Sequence, residues 1–306
     1  MGGSVDVDDT TTFTVTFNLN GGTFPEPIEP RTGLNYGAGV DNPGNPIREP
    51  LGWFEFTGWY SNIDLTREWC FDTDRVFYYT TLFARWELTA DAGNIGDTGP
   101  CGYGTIFYRR DEGFVMADTN ERAFFLVVSS ADGTLVVPWA VALDTYFPPV
   151  PGMDGERHRL IPGLSRGETD ETDWAVGRGR LNTALIVKYG ASGVAGCYTP
   201  FNTPAATHAY GYTGGGLTDW FLPSKHELTR LHEVRIVSNI DIRDNGLQQN
   251  DPKIYLGPLG NYWWSSSQWN LRGTHAWARN FHNNHRGFIG SAKGNSGQRA
   301  RPIRAF

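Results

Sequence analysis

The chain has 306 residues, a formal net charge of -7, and 39% hydrophobic, 19% charged and 14% aromatic residues. That is about twice the usual domain length of roughly 150 residues, with ample apolar material for cores, and 38 glycines with 18 prolines point to a strand- and loop-rich chain. The negative charge, with no basic stripe interleaved with aromatics, excludes a general attraction to nucleic acid. No run of about 18 apolar residues is present to span a membrane. Cys70, Cys101 and Cys197 are odd in number and lack CxxC spacing, which excludes a disulfide-dense scaffold or an ordinary zinc site and leaves buried thiols or a Cys101–Cys197 bridge.

The opening stretch MGGSVDVDDTTT lacks the apolar centre of a signal peptide, and residues 1–11 read as a disordered or engineered lead that says little about compartment. In TFTVTFNLNGGTF, Phe13, Val15 and Phe17 alternate with polar residues as the buried face of a strand, and Asn20-Gly21-Gly22 supply a turn. A Pro/Gly-rich crossing follows. Then Phe56, Trp59, Phe71, Leu82, Phe83 and Trp86 are spaced as short strands between turns. The order V-T-F-N-x-N-G-G, F-x-G-W-Y, T-L-F-A-x-W resembles the internalin-type B repeat, also called the Listeria–Bacteroides repeat. The resemblance covers residues 12–88 and implies a small β-grasp-like module of bacterial surface proteins, with a longer Pro/Gly insertion near residues 41–52.

LTADAGNIGDTGPCG reads as a linker of small and turn-forming residues, placing a boundary near residue 92 and a second domain over 93–306. GTIFYRRDEGFVMA and FFLVVSSADGTLVVPWA predict two strand pairs turning at Glu112-Gly113 and Asp132-Gly133. Two helices follow. One has Asn182 as its N-cap, an apolar run Ala184–Val187 and Gly190 at its stop. The other opens on a capping box, Ser224 with Glu227, and carries Leu228, Leu231 and Val234 on one face.

Five ordered blocks carry a second resemblance: GDTGPxGxGxIFY at 96–108, DWFLPSKxEL at 219–228, YWWSSSQ at 262–268, AWAxNF at 276–281 and RPIRAF at 301–306. Together they resemble the C-type lectin fold of the formylglycine-generating-enzyme type, in the branch of variable proteins of diversity-generating retroelements. The expected fold class is therefore α+β, a C-type lectin-fold domain preceded by the β-grasp-like repeat. The resemblance implies a binding protein whose C-terminal segment is rewritten by adenine-directed reverse transcription. A fold tolerates such rewriting only where side chains do not carry its densely packed core. Trp264, Trp277, Phe281, Pro302, Ile303 and Phe306 are expected as frame. The expected ligand-binding, variable positions are Tyr262, Trp263, Trp269, Asn270, Leu271, Arg272, Thr274, His275, Arg279, His282, Asn283, His285, Arg286, Phe288, Ile289, Ser291, Asn295 and Ser296. An Asn codon ending in a pyrimidine, randomised at its adenines, cannot yield Trp, so Trp269 is the odd member of the segment between the framework blocks. On the residues alone, core is the better reading of Trp263 and Phe288.

Other chemistries have weaker signals. His275, His282 and His285 lie without a carboxylate among them, and interaction-loop histidines are the commoner outcome than a metal site. Cysteine-to-formylglycine oxidation needs closely placed thiols with copper, and neither Cys101 nor Cys197 lies in the C-terminal blocks. Calcium-dependent sugar binding needs a carboxylate cluster, and Trp269-Asn270 is followed by Leu271. The Ser265–Ser267 run lacks the glycines of a nucleophile elbow and suits hydrogen bonding to backbone. Arg301 and Arg304 suit frame salt bridges more than anion binding. The resulting expectation is a non-enzymatic, cofactor-free, metal-free receptor. It binds a protein or other surface ligand specific to this variant and no nucleic acid, and meets a membrane only through a lipid anchor, as an extracytoplasmic outer-membrane lipoprotein. The alternatives are an enzyme of the formylglycine-generating or carbohydrate-processing type and a purely structural surface module.

Overall fold

Alternation of Phe13, Val15 and Phe17 builds strand β1 (Phe13–Asn18), with Phe13 and Val15 buried and Phe17 packed edge-on against Trp59 at 5.2 Å. The computed structural model describes residues 11–142, 161–164, 169–192, 201–234, 262–269, 275–281 and 287–306. It divides into two units, Met1–Ala92 and Gly93–Phe306, and its architecture is α+β, dominated by sheets with few helices. In the first unit β2 (Arg31–Leu34), β3 (Phe54–Tyr60) and β4 (Thr80–Leu88) join β1 in the order β2-β1-β4-β3. The central β1–β4 pair is parallel and both outer pairs are antiparallel.

The repeat motifs hold one another. Asn20 and Gly21 take left-handed φ of 47° and 81°, which turns the chain back. That turn lets Asn20 Nδ2–H reach Ala84 O at 2.7 Å while Trp86 Nε1–H donates to Leu19 O at 2.9 Å. Gly22 lies under the Trp86 ring, where a Cβ would overlap it. The crossing between β2 and β3 is irregular, pinned by a Thr23–Ile47 bridge and by Trp59 Nε1–H on Gly44 O at 3.1 Å.

The second unit contains β5 (Thr105–Val115), β6 (Arg122–Val128), β7 (Leu135–Val136) and β8 (Val141–Ala142), then helix α1 (Gly179–Ser192), β9 (Phe201–Asn202), α2 (Pro204–Tyr210) and α3 (Lys225–Val234). It closes with β10 (Tyr262–Gln268), β11 (His275–Asn280), β12 (Phe288–Ala292), β13 (Arg299–Ala300) and β14 (Ile303–Ala305). These strands form a five-stranded sheet, β12-β11-β10-β13-β7, a three-stranded sheet, β14-β6-β5, and the pair β8-β9. The final eight residues join the two larger sheets: Arg299 pairs with Trp263 in one, and Ile303 pairs with Val128 in the other. Strand alternation puts Trp263 into a core shared with α3, Phe281 and β6, and Trp264 into a second core with Trp139, Ile186 and the alanines of α2.

Helix α3 opens as its sequence predicts. Ser224 N–H donates to Glu227 Oε2 at 2.7 Å, and Glu227 N–H donates to Ser224 Oγ at 3.3 Å. Glu227 also accepts Gly177 N–H at 2.8 Å and Gly179 N–H at 3.4 Å, so one fully buried carboxylate holds the starts of both α3 and α1. Burial pushes this carboxyl up to about 7, against the pull of those amides.

Several local expectations are corrected. Glu112-Gly113 makes no hairpin turn: β5 runs through it with shifted register, Gly113 at φ 70°, because the strand bends there around β6. Asp132-Gly133 sits in a 3-10 turn, Ala131–Gly133, that carries the chain from one sheet to the other. Helix α1 starts at Gly179, so Asn182 lies inside its first turn and Gly190 inside the helix. Asn182 does not cap; it is buried and donates to Asp173 O at 2.7 Å. Cys70 and Cys101 are exposed free thiols rather than buried ones, and Cys197 lies outside the described residues. The segment read as a linker is folded back from residue 96 onward: Gly96 N–H donates to Ile106 O at 2.9 Å, and Gly104 packs where a Cβ would meet Val127 and Val128.

Two outcomes are expected. Residues 93–306 produced without the first unit should melt cooperatively by circular dichroism, as each unit encloses its own core. Glu227 has a folded pKa of about 7 against an ordinary 4.5, so it stays protonated in the fold where the unfolded chain has ionised. Its contribution should fall as pH rises from about 4.5 to 7, by on the order of 3 kcal/mol. Denaturation of wild type beside Glu227→Gln across that window should show the decline in wild type and its attenuation in the variant.

Candidate ligand-binding face

Strand β11 has two unlike faces. Ala276 and Ala278 are fully buried against the core that α1 and α2 complete, and small side chains there allow the helices to approach. His275, Trp277 and Arg279 alternate to the other face, where Trp277 pairs with Gly290 of β12 and Arg279 with Phe288. Trp269 lies across Gly290, where any Cβ would overlap its ring.

Around these residues the rings form a continuous cluster. Trp277 meets Trp174 at 5.7 Å and 90°, Phe288 at 5.9 Å and 84°, and Trp269 at 6.2 Å and 83°, while Trp269 meets His275 at 5.0 Å. These are edge-to-face contacts, the arrangement that ring quadrupoles favour. Lys225, the first residue of α3, places Nζ 3.1 Å from the centroid of Trp174, 3.7 Å from Trp277 and 5.6 Å from Phe288. Its ammonium is pushed down to about 8 by burial among the rings, partly offset by Glu171 and Asp173. The Arg279 guanidinium sits 4.8 Å from the Phe288 centroid, donates through Nη2 to His232 Nδ1 at 3.1 Å, and is lowered by its own burial.

A polar lattice fixes the strand beneath. Ser265 Oγ–H donates to Trp277 O at 2.9 Å, Ser266 N–H to Pro223 O at 2.7 Å, and Ser267 Oγ–H to Asp173 O at 2.8 Å. Lys225 N–H in turn donates to Ser267 Oγ at 3.1 Å. Gln268 N–H meets Asp173 Oδ2 at 2.9 Å, and Gln268 Oε1 accepts from Lys293 Nζ at 2.8 Å and Ile161 N–H at 3.1 Å. The serines thus satisfy backbone groups.

The residues expected to vary do not all share this face. Trp269, His275 and Phe288 do, half-exposed. Arg279 is on it but buried at 9% exposure, and Trp263, at 4%, is core beside Phe281 rather than display. Tyr262 and Ile289 are half-buried on the opposite face against the α1–α2 core, and Ser291 is buried, accepting from Gln298 Nε2 at 2.6 Å. Strand parity decides these placements: one residue's step along β10 or β12 changes the face. Asn295 is half-exposed and Ser296 exposed beyond β12. Asn270, Leu271, Arg272, Thr274, His282, Asn283, His285 and Arg286 lie outside the described residues. Of the frame residues, Trp264, Phe281, Pro302 and Ile303 are buried, Phe306 is half-buried, and Trp277 is half-exposed at the centre of the ring cluster. Arg304 pairs with Asp219 at 2.7 Å, and Arg301 donates to Ser129 O at 2.6 Å. Trp174 and Lys225 were not legible as site residues, since their segments carry no pattern relating them to β11.

Trp263→Ala and Phe281→Ala should each destabilise the fold by about 3–5 kcal/mol, whereas half-exposed Phe288→Ala should cost roughly half of that or less. Urea denaturation of the three variants checks the ranking.

The Listeria-Bacteroides repeat domain family (Flg_new) matches residues 13–85. A putative Gly-rich membrane protein of Evansella cellulosilytica is 37% identical over 76 residues, covering 25% of this chain and 8% of that protein. A putative membrane protein of the same organism is 34% identical over 76 residues, covering 25% of this chain and 10% of that protein. The chain therefore spans a tenth or less of the length of these relatives. Residues 13–85, within which Asn20 Nδ2–H reaches Ala84 O, thus form a Listeria-Bacteroides repeat domain.

Proposed function

We propose that this protein is an extracytoplasmic ligand-binding protein of a bacterial surface. Its second unit would be a C-type lectin-fold domain of the formylglycine-generating-enzyme type, with a C-terminal segment diversified by a retroelement. One observation carries the reading. The motif blocks separated in sequence are bonded to one another in space: Lys225 N–H to Ser267, Phe221 to Ile303 in both directions at 2.8 and 2.9 Å, and Ser265 to Trp277. The text between the blocks, from Trp269 to Ser296, contributes the half-exposed Trp269, His275 and Phe288, whose exchange would leave those bonds in place. Surface location is supported by the repeat domain and by relatives named as membrane proteins. A lipid anchor would supply attachment. The partner is a protein, since aromatic and arginine side chains commonly form the hot spots of such interfaces.

Replacing Asn270, Leu271, Arg272, His282, His285 and Arg286 together should abolish capture of the partner that wild type retrieves from an unbiased surface-protein library, with a Tm change of only a few degrees. If capture persists unchanged, these segments are not the binding determinant.

A further inference from the structure

Charge is unevenly distributed in this chain. Residues 262–306 contain seven Lys and Arg and no Asp or Glu, so the remaining 261 residues carry 19 basic against 33 acidic side chains, a balance of -14. Part of this basic content is structural: Lys293 is buried on Gln268, Arg301 on the Ser129 carbonyl, and Arg304 on Asp219. Of the rest, Arg279 sits against the Phe288 ring of the cluster, which Lys225 joins from α3. Among the described residues, Lys225 Nζ rests on two indole faces with no ion pair, and Arg279, nine-tenths buried, has an Nε–H without an acceptor. The buried indole Nε1–H groups of Trp174 and Trp277 likewise have no acceptor among the described residues. A cluster of ring faces, cations and spare donors, with few acceptors of its own, is complementary to an anion carried on an apolar group.

We propose that this face receives a carboxylate attached to an apolar or aromatic group, presented by an acidic segment of a partner protein, with Lys225 as the cation that meets it. The inference rests on the binding reading above and names the chemistry that the face selects. A cationic ligand is disfavoured because Lys225 already occupies the ring faces such a ligand would need. The carboxylates that act on Lys225 are Glu171 and Asp173, with the imidazole of His226, its pKa lowered by burial, as the adjoining titratable group; Asp173 is buried and accepts from the Gln268 amide. With the ammonium lowered to about 8, carboxylate binding should weaken as pH rises through that value and the cation is lost.

The test titrates the full chain with phenylacetate, 2-phenylethylammonium and inorganic phosphate, reading Trp fluorescence and the indole N–H resonances. Phenylacetate should saturate the signal, weaken at least tenfold in Lys225→Met and above pH 8, and be unaffected in the exposed control Lys188→Met. Arg279→Gln should weaken it also, with an unchanged far-ultraviolet spectrum showing that the fold persists. Equal or tighter binding of 2-phenylethylammonium overturns the proposal in favour of a cation cage, tighter binding of phosphate overturns it in favour of a phosphate ligand such as nucleic acid, and no saturable binding by any probe overturns it outright. Loss of partner capture in the segment variant together with no phenylacetate binding would leave the receptor reading standing and remove only this inference. Phenylacetate binding with capture unchanged in that variant would do the reverse.

Discussion

Four consecutive polar side chains, Ser265 to Gln268, are fully buried at the centre of the second unit, and the rest of that unit is arranged so that they can be. Buried polar groups are costly unless paired, and each of these four side chains has a partner distant in the sequence. Ser265 Oγ–H donates to the Trp277 carbonyl, Ser266 Oγ accepts from Asn182 Nδ2–H, Ser267 Oγ–H donates to the Asp173 carbonyl, and Gln268 Oε1 accepts from the Lys293 amine. Such bonds are directional and intolerant of slippage. Strand β10 therefore has one register against β11, one approach to α3 and one position for the 171–178 segment, and Trp174, Lys225 and Trp277 converge as a consequence.

The same lattice separates what carries the fold from what faces outward. On β11 the alanines admit α1 and α2, and His275 and Trp277 point away from them. Strand parity makes this separation sharp but not contiguous in sequence: Phe288 belongs to the ring face and Ile289 to the opposite core, although they are neighbours. A segment rewritten at random across both residues would alter side chains packed against two different cores. The positions free to change are therefore fewer than the sequence between the framework blocks suggests.

Glu227 plays for the helices the part that Ser265–Gln268 play for the strands. One carboxylate takes amide hydrogens from two helix starts, at Gly179 and Ser224, that are 45 residues apart in sequence. Its burial raises the free energy of its charged form, so the junction of α1 and α3 is sensitive to proton concentration.

Features encoded within a few residues were legible from the amino-acid order. The turn and strand alternation of the repeat, the Ser224–Glu227 capping box and the backbone-satisfying role of the serine run all depend on local periodicity or on the hydrogen-bonding capacity of short motifs. Tertiary structure decided the rest. Glu112-Gly113 has the composition of a hairpin turn, yet it becomes a bulge because β6 pairs on both sides of it. Asn182 has the chemistry of a helix cap, yet it is drawn into the first turn because Asp173 offers it a buried acceptor. Trp263 and Trp269 are the same residue type on one strand and its continuation, and what covers each decides its role: Phe281 and α3 over the first, Gly290 with the His275 and Trp277 rings beside the second. The ring cluster with Lys225 at its centre brings together residues about 50 and 100 positions apart, from Trp174 through Lys225 to Trp277. Burial and convergence of this kind depend on which distant element covers a face, a quantity that no short stretch of sequence contains.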